Sequence, residues 1–466
     1  MNAPAPPGGA AHSQGTMAGS ESGSTQLILR NGLVISMDSE IGDFTAADVL
    51  IEGTKIQAVG PRLVSDAPSI DCTGRIVMPG FVNSHHHMFQ TALRGYWSDA
   101  LSADYFTQSR QGEKAAFHVY TPEDVYWGQY AGALEQINAG TTTVVDTSQC
   151  TETPEHTDAA VKGLISSGVR SVYAFSPKAH GSTPHPSYAH PADITRLRET
   201  YFPSDEQLVT LAMGSPVNEA NWRLARDLDL PIYSHVNDEA AGLHVEKLSQ
   251  LGLAGPWNTY IHCTGLAAST WRVIANTGGK VSLSNMVEQT LCTGMPGMQP
   301  ALDHGIQPSF STDAVSLGPT DFFSQMRAAY ALQRSRIQER AIREEVIETD
   351  MVSTRDILRM ATIEGARAVH LEDKVGSLTP GKEADVVVLN PQLLNAAPLN
   401  HVVGAIVMLM DTSNVESVIV RGRVMKHAGR LLGVDVASVV AELQHSAEGI
   451  ISRSDSPRVL LTSCRS

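Results

Sequence analysis

Short runs of apolar and β-branched residues recur along this chain, separated by longer stretches whose apolar positions fall at helical spacing. Three β-rich runs come first, over 27–35, 48–59 and 70–77. Asn31-Gly32 and Glu52-Gly53 sit where tight hairpin turns are expected. The same texture returns over 384–389 and 415–424. A β unit split between the two ends, with a different pattern between, predicts one small domain assembled from both.

The middle alternates short apolar runs with helical segments such as 122–139 and 155–167. That is the pattern of a parallel sheet covered by helices. Eight strands are predicted. The first ends at His87, and the others span 141–146, 171–175, 208–213, 232–235, 260–263, 280–285 and 307–313. Eight parallel strands in about 290 residues fit a (β/α)₈ barrel better than an open sheet. The expected organisation is a leader over 1–25, a β-sandwich from 26–78 plus 376–432, a barrel over 79–375 and a helical tail over 433–466.

The 466 residues suit one large domain and a smaller one. A net charge of −15 argues against nucleic acid or an anionic membrane as partner, because a basic footprint is missing. No apolar run approaches the ~20 residues needed to span a bilayer. Residues 1–25 are mostly small and uncharged, which reads as a disordered leader and not a secretory signal. Cys72, Cys150, Cys263, Cys292 and Cys464 are scattered and form no C-x-x-C pair. That excludes a zinc ribbon, disfavours a disulfide framework and makes the cytoplasm the expected setting.

The strand ends carry the chemistry, since a barrel gathers the C-terminal ends of its strands around one axial pocket. The first strand ends in His85-His86-His87; side-chain alternation points His85 and His87 to one face and His86 away. The fifth ends in Tyr233-Ser234-His235, the sixth in Tyr260-Ile261-His262-Cys263 and the eighth in Phe310-Ser311-Thr312-Asp313. His85, His87, His235 and Asp313 can offer three nitrogens and one oxygen to a divalent cation, leaving a position for water. Asp313 is the natural proton acceptor, and His262 can hydrogen-bond the nucleophile or the developing oxyanion.

Pro79-Gly80-Phe81-Val82-Asn83-Ser84-His85-His86-His87, the later His, His and Asp, and Gly376-Ser377-Leu378-Thr379-Pro380-Gly381-Lys382-Glu383-Ala384-Asp385 together resemble the amidohydrolase superfamily. The likeness runs over 26–432 and is greatest to its cytosine deaminase-like and triazine hydrolase-like branch. It implies an α/β fold, a distorted (β/α)₈ TIM barrel with a small β-sandwich, that hydrolyses C–N and sometimes C–Cl bonds. The metal-ligand roles fall on His85, His87, His235 and Asp313, with His262 beside the metal. Binuclear members carry a bridging lysine or glutamate at the fourth strand's end, where this chain reads Leu211-Ala212-Met213-Gly214-Ser215-Pro216. Lys178 comes one strand early, so a single ion is expected, zinc first and iron second. A homo-oligomer, dimer or higher, is implied.

The chain departs from the branch at one place that matters. Deaminases there usually read H-x-x-E after the fifth strand, and the glutamate moves a proton to the leaving nitrogen. Here His235-Val236-Asn237-Asp238-Glu239 puts the shorter Asp238 at that position and displaces Glu239 by one. The sixth-strand His262-Cys263-Thr264-Gly265 also lacks a second histidine found in some deaminases. Asp238 is carried forward as a catalytic candidate. In the loop over 88–97, Gln90 and Trp97 are candidates to bond and stack on a substrate. Met286-Val287-Glu288-Gln289 is a further wall segment, with Met295 and Met298 giving the wall a soft apolar character. His180, His185 and His190 read as loop residues and not as a second metal site. The expected activity is attack of a metal-activated water on a small cyclic or aromatic amide, amidine or amine. The alternatives are an amide, urea or carbamate hydrolase without deaminase activity, and a binding protein on the same fold.

Overall fold

The computed structural model describes residues 26–176, 192–344 and 351–456. The expected leader over 1–25, Lys178 and the three loop histidines at 180, 185 and 190 lie outside them. Eight strands follow one another in a parallel sheet: Phe81–His86, Thr141–Ser148, Arg170–Phe175, Val209–Gly214, Ile232–Val236, Asn258–His262, Lys280–Leu283 and Ser309–Phe310. Their residues are buried almost without interruption, because helices cover one side and the barrel interior the other.

Local signals set the covering helices. Pro122–Asn138 opens on proline, and Thr121 and Asp124 form a reciprocal cap around its first turn. Pro154–Ser167 also starts on proline and stops at Gly168, whose φ of 73° suits a residue without a Cβ. Gly80 answers a different need. A Cβ there would stand 2.2 Å from the Thr142 side chain, so only glycine lets the first strand enter beside the second.

The eighth strand is shorter than expected. It pairs with the seventh only through Ser309 and Phe310, then its backbone turns to the first strand and closes the barrel. Asp313 N–H donates to His85 C=O at 3.1 Å and His87 N–H to Asp313 C=O at 2.8 Å. Asn83 reinforces that seam: its amide donates to Thr312 Oγ1 at 2.6 Å and to Gln136 Oε1 at 3.0 Å, and accepts from Thr312 N–H at 3.1 Å. Inside the barrel, Ser84 bonds to the hydroxyls of Ser282 and Ser309, both at 2.7 Å. Beneath lies an apolar layer that includes Val82, Val145, Val172, Tyr233 and Ile261, plugged from below by Ala366, Val369 and Val375.

Strands from the two ends of the chain build a second sheet, with nine strands among the described residues. Ile76–Pro79 lies between Gln26–Ile35, which it pairs in parallel, and Val386–Leu389, which it pairs antiparallel, so the ends are joined in the middle of the sheet. The edge strand Lys55–Gly60 bonds to the segment entering Val386–Leu389, through Ile56 N–H to Lys382 C=O and Gly381 N–H to Ile56 C=O. The sheet thereby curls around its own core of Leu29, Val49, Ile51, Val77, Val386 and Val388. Asn31-Gly32 is not a turn. Asn31 has φ of 58° within the continuous strand Gln26–Ile35, and the register against Asp43–Glu52 shifts there as in a β-bulge. Glu52-Gly53 does lead the turn joining Asp43–Glu52 to Lys55–Gly60. The tail forms the helix Val436–Arg453, which packs on Pro122–Asn138 through Ser446 Oγ to Asp124 Oδ1 at 2.7 Å. Among the described residues no helix is long and apolar enough to cross a membrane.

Replacing Asn83 by Ala leaves buried partners on both sides of the seam unsatisfied. Denaturant unfolding of the metal-free variant should read a loss of roughly 1–3 kcal/mol; wild-type stability would remove Asn83 from the closure.

Candidate metal centre

His85 and His87 leave the first strand on the same face, and both Nε2 atoms lie 3.4 Å from Asp313 Oδ1. His235 arrives from the fifth strand with its ring centroid 4.8 Å from that of His85, and it stacks on His87 at 5.5 Å. Ligand atoms of His85, His87 and His235 lie within 4.8 Å of one another, as do those of His85, His262 and Asp313. His86 turns away, its Nδ1 3.1 Å from Thr312 Oγ1.

The second strand holds the histidine pair. His87 Nδ1 lies 2.8 Å from the Thr147 carbonyl, and His85 Nδ1 lies 2.9 Å from Thr147 Oγ1. A carbonyl only accepts, so His87 carries its proton on Nδ1 and its Nε2 lone pair faces the centre. His85 Nε2 is buried with no hydrogen-bond partner. Three imidazole nitrogens and a carboxylate oxygen converging on an unsatisfied nitrogen fit a divalent cation. Thr147 was not singled out from the sequence, where nothing marks a threonine as a histidine's support.

Burial shifts these groups toward metal-binding forms. It holds the His85 imidazole below its ordinary pKa and those of His87 and His235 well below. For Asp313 burial raises the pKa, but His85, 3.4 Å from Oδ1, and the facing His262 and His87 rings outweigh it, and the carboxyl is held low. His262 goes the other way: burial opposes its charge, yet the bond to Glu288 and the nearby Asp313 raise its pKa. His262 Nε2 lies 3.7 Å from Asp313 Oδ2. His262 has φ of 71° and Asp313 φ of 55°, so two left-handed backbones sit at the strand ends that aim these side chains.

Three expected site residues sit elsewhere in the chemistry. Asp238 is exposed and caps the helix Glu239–Gln250, accepting Ala241 N–H at 2.7 Å; Glu239 is exposed in that helix's first turn. The short aspartate side chain folds back onto its own helix, and the cluster does not include it. Gln90 is fully buried, its Nε2 donating to Tyr105 Oη at 3.0 Å while Ser316 Oγ donates to its carbonyl. Trp97 is buried against the edges of Tyr105 and Phe117, with Nε1 on Gln108 Oε1 at 3.0 Å. Both are packed wall residues with their polar groups committed. Met298 is buried and Met295 exposed.

Two buried carboxyls lie near the centre: Asp146 was not singled out from the sequence, and Glu288 was marked only as part of a wall segment. Glu288, in the helix Asn285–Thr290, places Oε1 3.1 Å from His262 Nδ1. Asp146, on the second strand, takes Met88 N–H at 3.0 Å and Gln129 Nε2–H at 2.8 Å, anchoring the chain just beyond His87. Burial raises the Asp146 pKa to about 7.

This geometry is that of a candidate divalent-metal site at the C-terminal mouth of a (β/α)₈ barrel. The sequence model of the Amidohydrolase family matches residues 76–213 and 232–425, and the chain belongs to that family. It is 27% identical over 461 residues to 5'-deoxyadenosine deaminase of Methanosarcina mazei, covering 92% of this chain and 99% of that protein. It is also 27% identical over 451 residues to 5-methylthioadenosine/S-adenosylhomocysteine deaminase of Desulforudis audaxviator, covering 91% and 99%. An adenosine deaminase from Xanthomonas campestris with bound zinc superposes with a TM-score of 0.79 at 24% identity, over 91% of this chain and 98% of that one. Atrazine chlorohydrolase from Arthrobacter aurescens, in complex with zinc, superposes with a TM-score of 0.78 at 22% identity, over 90% and 100%. The protein is a metal-dependent hydrolase acting on carbon–nitrogen bonds.

Two measurements follow. Thr147→Val removes the hydroxyl beside His85 while keeping the carbonyl on His87, and competition with a chelator should read a metal affinity weakened by roughly 10-fold. The raised Asp146 pKa means that the metal-free folded protein binds the extra proton between its ordinary value of 3.8 and about 7. Its contribution is therefore present below 3.8 and lost as pH rises through about 7. Asp146→Asn should flatten that decline, gaining on the wild type by a few kcal/mol, to order of magnitude, as pH rises; parallel stability–pH curves would refute the assignment.

Proposed function

We propose that this protein is a zinc-dependent aminohydrolase with one metal ion, releasing ammonia or an amine from a small cyclic amidine or aromatic amine. The observation that carries the reading is the convergence of His85, His87, His235 and Asp313, with His262 alongside, at four barrel strand ends. A divalent cation held by this set would supply Lewis acidity and lower the pKa of a bound water toward neutrality.

The chain's own residues do the rest. Asp313, held ionised by its neighbours, accepts the proton of the attacking water and returns it to the departing nitrogen. His262 faces the same carboxylate and hydrogen-bonds the oxygen that gains charge as the tetrahedral carbon forms. The deaminase names of the curated relatives support an amino-bearing ring as substrate. A single ion is favoured because the strand Val209–Gly214 runs on into Ser215-Pro216 with no lysine or carboxylate at its end. Iron is the alternative ion, since the same ligands suit it. A cytoplasmic homo-oligomer completes the reading; among the described residues no cysteine is in a disulfide.

A second reading has one observation in its favour. Asp238, at the position where deaminases of the branch carry glutamate, is spent on a helix cap. An amide, urea or carbamate hydrolase needs no such acid against a ring nitrogen.

Metal analysis of the purified protein, joined to a screen of aminated heterocycles for ammonia release, separates the two. Release from purine- or pyrimidine-like amines supports the aminohydrolase; its absence, with turnover of acyclic amides or ureas, supports the second reading. Asp313→Ala should abolish turnover, whereas His262→Ala should keep the metal and lose about 10²–10⁴ in kcat. Full activity in Asp313→Ala would overturn the scheme.

A further inference from the structure

Among the described residues, His262 is the only one of the five clustered site residues in hydrogen-bond contact with a buried carboxylate from outside the cluster. It sits at the centre of a three-residue turn in which Cys263 N–H donates to Ile261 C=O at 3.0 Å. That tight, strained turn lifts the ring off the strand and aims it inward, with centroids 5.5 Å from His85 and 5.3 Å from His235. A ring held by its backbone alone could still rotate and exchange its two nitrogens. Glu288 supplies the missing constraint. It is fully buried, and its Oε1 lies 3.1 Å from His262 Nδ1 and accepts Ser284 N–H at 2.7 Å. Its Oε2 is buried with no partner.

We propose that Glu288 is a positioning residue for His262. Its Oε1, which already accepts Ser284 N–H, also accepts the Nδ1 proton, so Nε2 is the nitrogen presented to Asp313 and the reacting atoms. Its charge also stabilises His262 whenever Nε2 carries a proton. With Asp238 committed to its helix, Glu288 brings a second carboxylate to the site from the seventh strand's end instead of the fifth. The inference rests on the aminohydrolase or hydrolase reading only in giving His262 a part in turnover.

The competing role is structural: Glu288 closes the first turn of Asn285–Thr290 through Ser284 N–H. Glu288→Gln separates the two, because the glutamine oxygen caps that turn equally well but carries no charge. Acting through His262, Glu288→Gln should lower kcat by about 10- to 100-fold with KM and metal content unchanged. The double variant His262→Ala/Glu288→Gln should then be no slower than His262→Ala alone. Losses that multiply, or full kcat in Glu288→Gln, would overturn the proposal. A second readout needs no substrate. The zinc-loaded wild type should show a downfield Nδ1–H proton resonance that is absent from His262→Ala and displaced in Glu288→Gln. An unmoved resonance in Glu288→Gln would refute the contact. If no substrate on the panel turns over, the functional reading fails while the resonance still tests the pairing.

Discussion

The seam between the first and eighth barrel strands places most of the reactive groups, because the residues that close the barrel are the residues that form the site. His85 and His87 exchange backbone hydrogen bonds with Asp313, and the same three side chains meet within 3.4 Å. Closure and ligand geometry are therefore one constraint. Asn83 and Thr312 sit one step below and lock the register. A slip of one residue there would turn His86 inward and His85 and His87 outward. The left-handed backbone at Asp313 is local strain borne by that closure.

Burial does electrostatic work at the same place. Imidazoles removed from water resist protonation, which leaves lone pairs free for a cation near neutral pH. Asp313 remains ionised against its own burial because several imidazoles face it. His262 lies between two carboxylates, Asp313 ahead and Glu288 behind, and its preference for the proton is opposite to that of its neighbours. One cluster thus sets imidazoles whose protonation is disfavoured beside a carboxyl held low and an imidazole whose protonation is favoured.

The second sheet is joined to the barrel away from this mouth. Arg170, on the third barrel strand, is buried against Asp385 at 2.9 Å and Glu383 at 3.4 Å, in the segment leading into Val386–Leu389. Thr143 on the neighbouring strand also reaches Asp385. Buried ions of this kind gain little net stability after desolvation, but they tolerate few alternative registers. They tie the second sheet to the second and third barrel strands.

Much of this was legible along the chain. Apolar runs at regular intervals marked the barrel strands, and the β-rich ends marked the second sheet. Ligand candidates appeared because histidine and aspartate recur at strand ends, where alternation and barrel geometry settle their direction. The sequence by itself determined the fold class and pointed to the cluster of candidate ligands, since the first follows from periodicity and the second from residue type at strand ends. Tertiary structure alone decided what the remaining polar residues do. Asp238 became a helix cap and Gln90 a buried wall residue because nearby donors and acceptors claimed them first. Asn31-Gly32 became a bulge because the strand pairs across it. Thr147, Asp146 and Glu288 gained their places beside the site through partners 62, 58 and 26 residues distant in the chain. Such pairings carry no periodic signal; they exist only once folding has brought separate strand ends together.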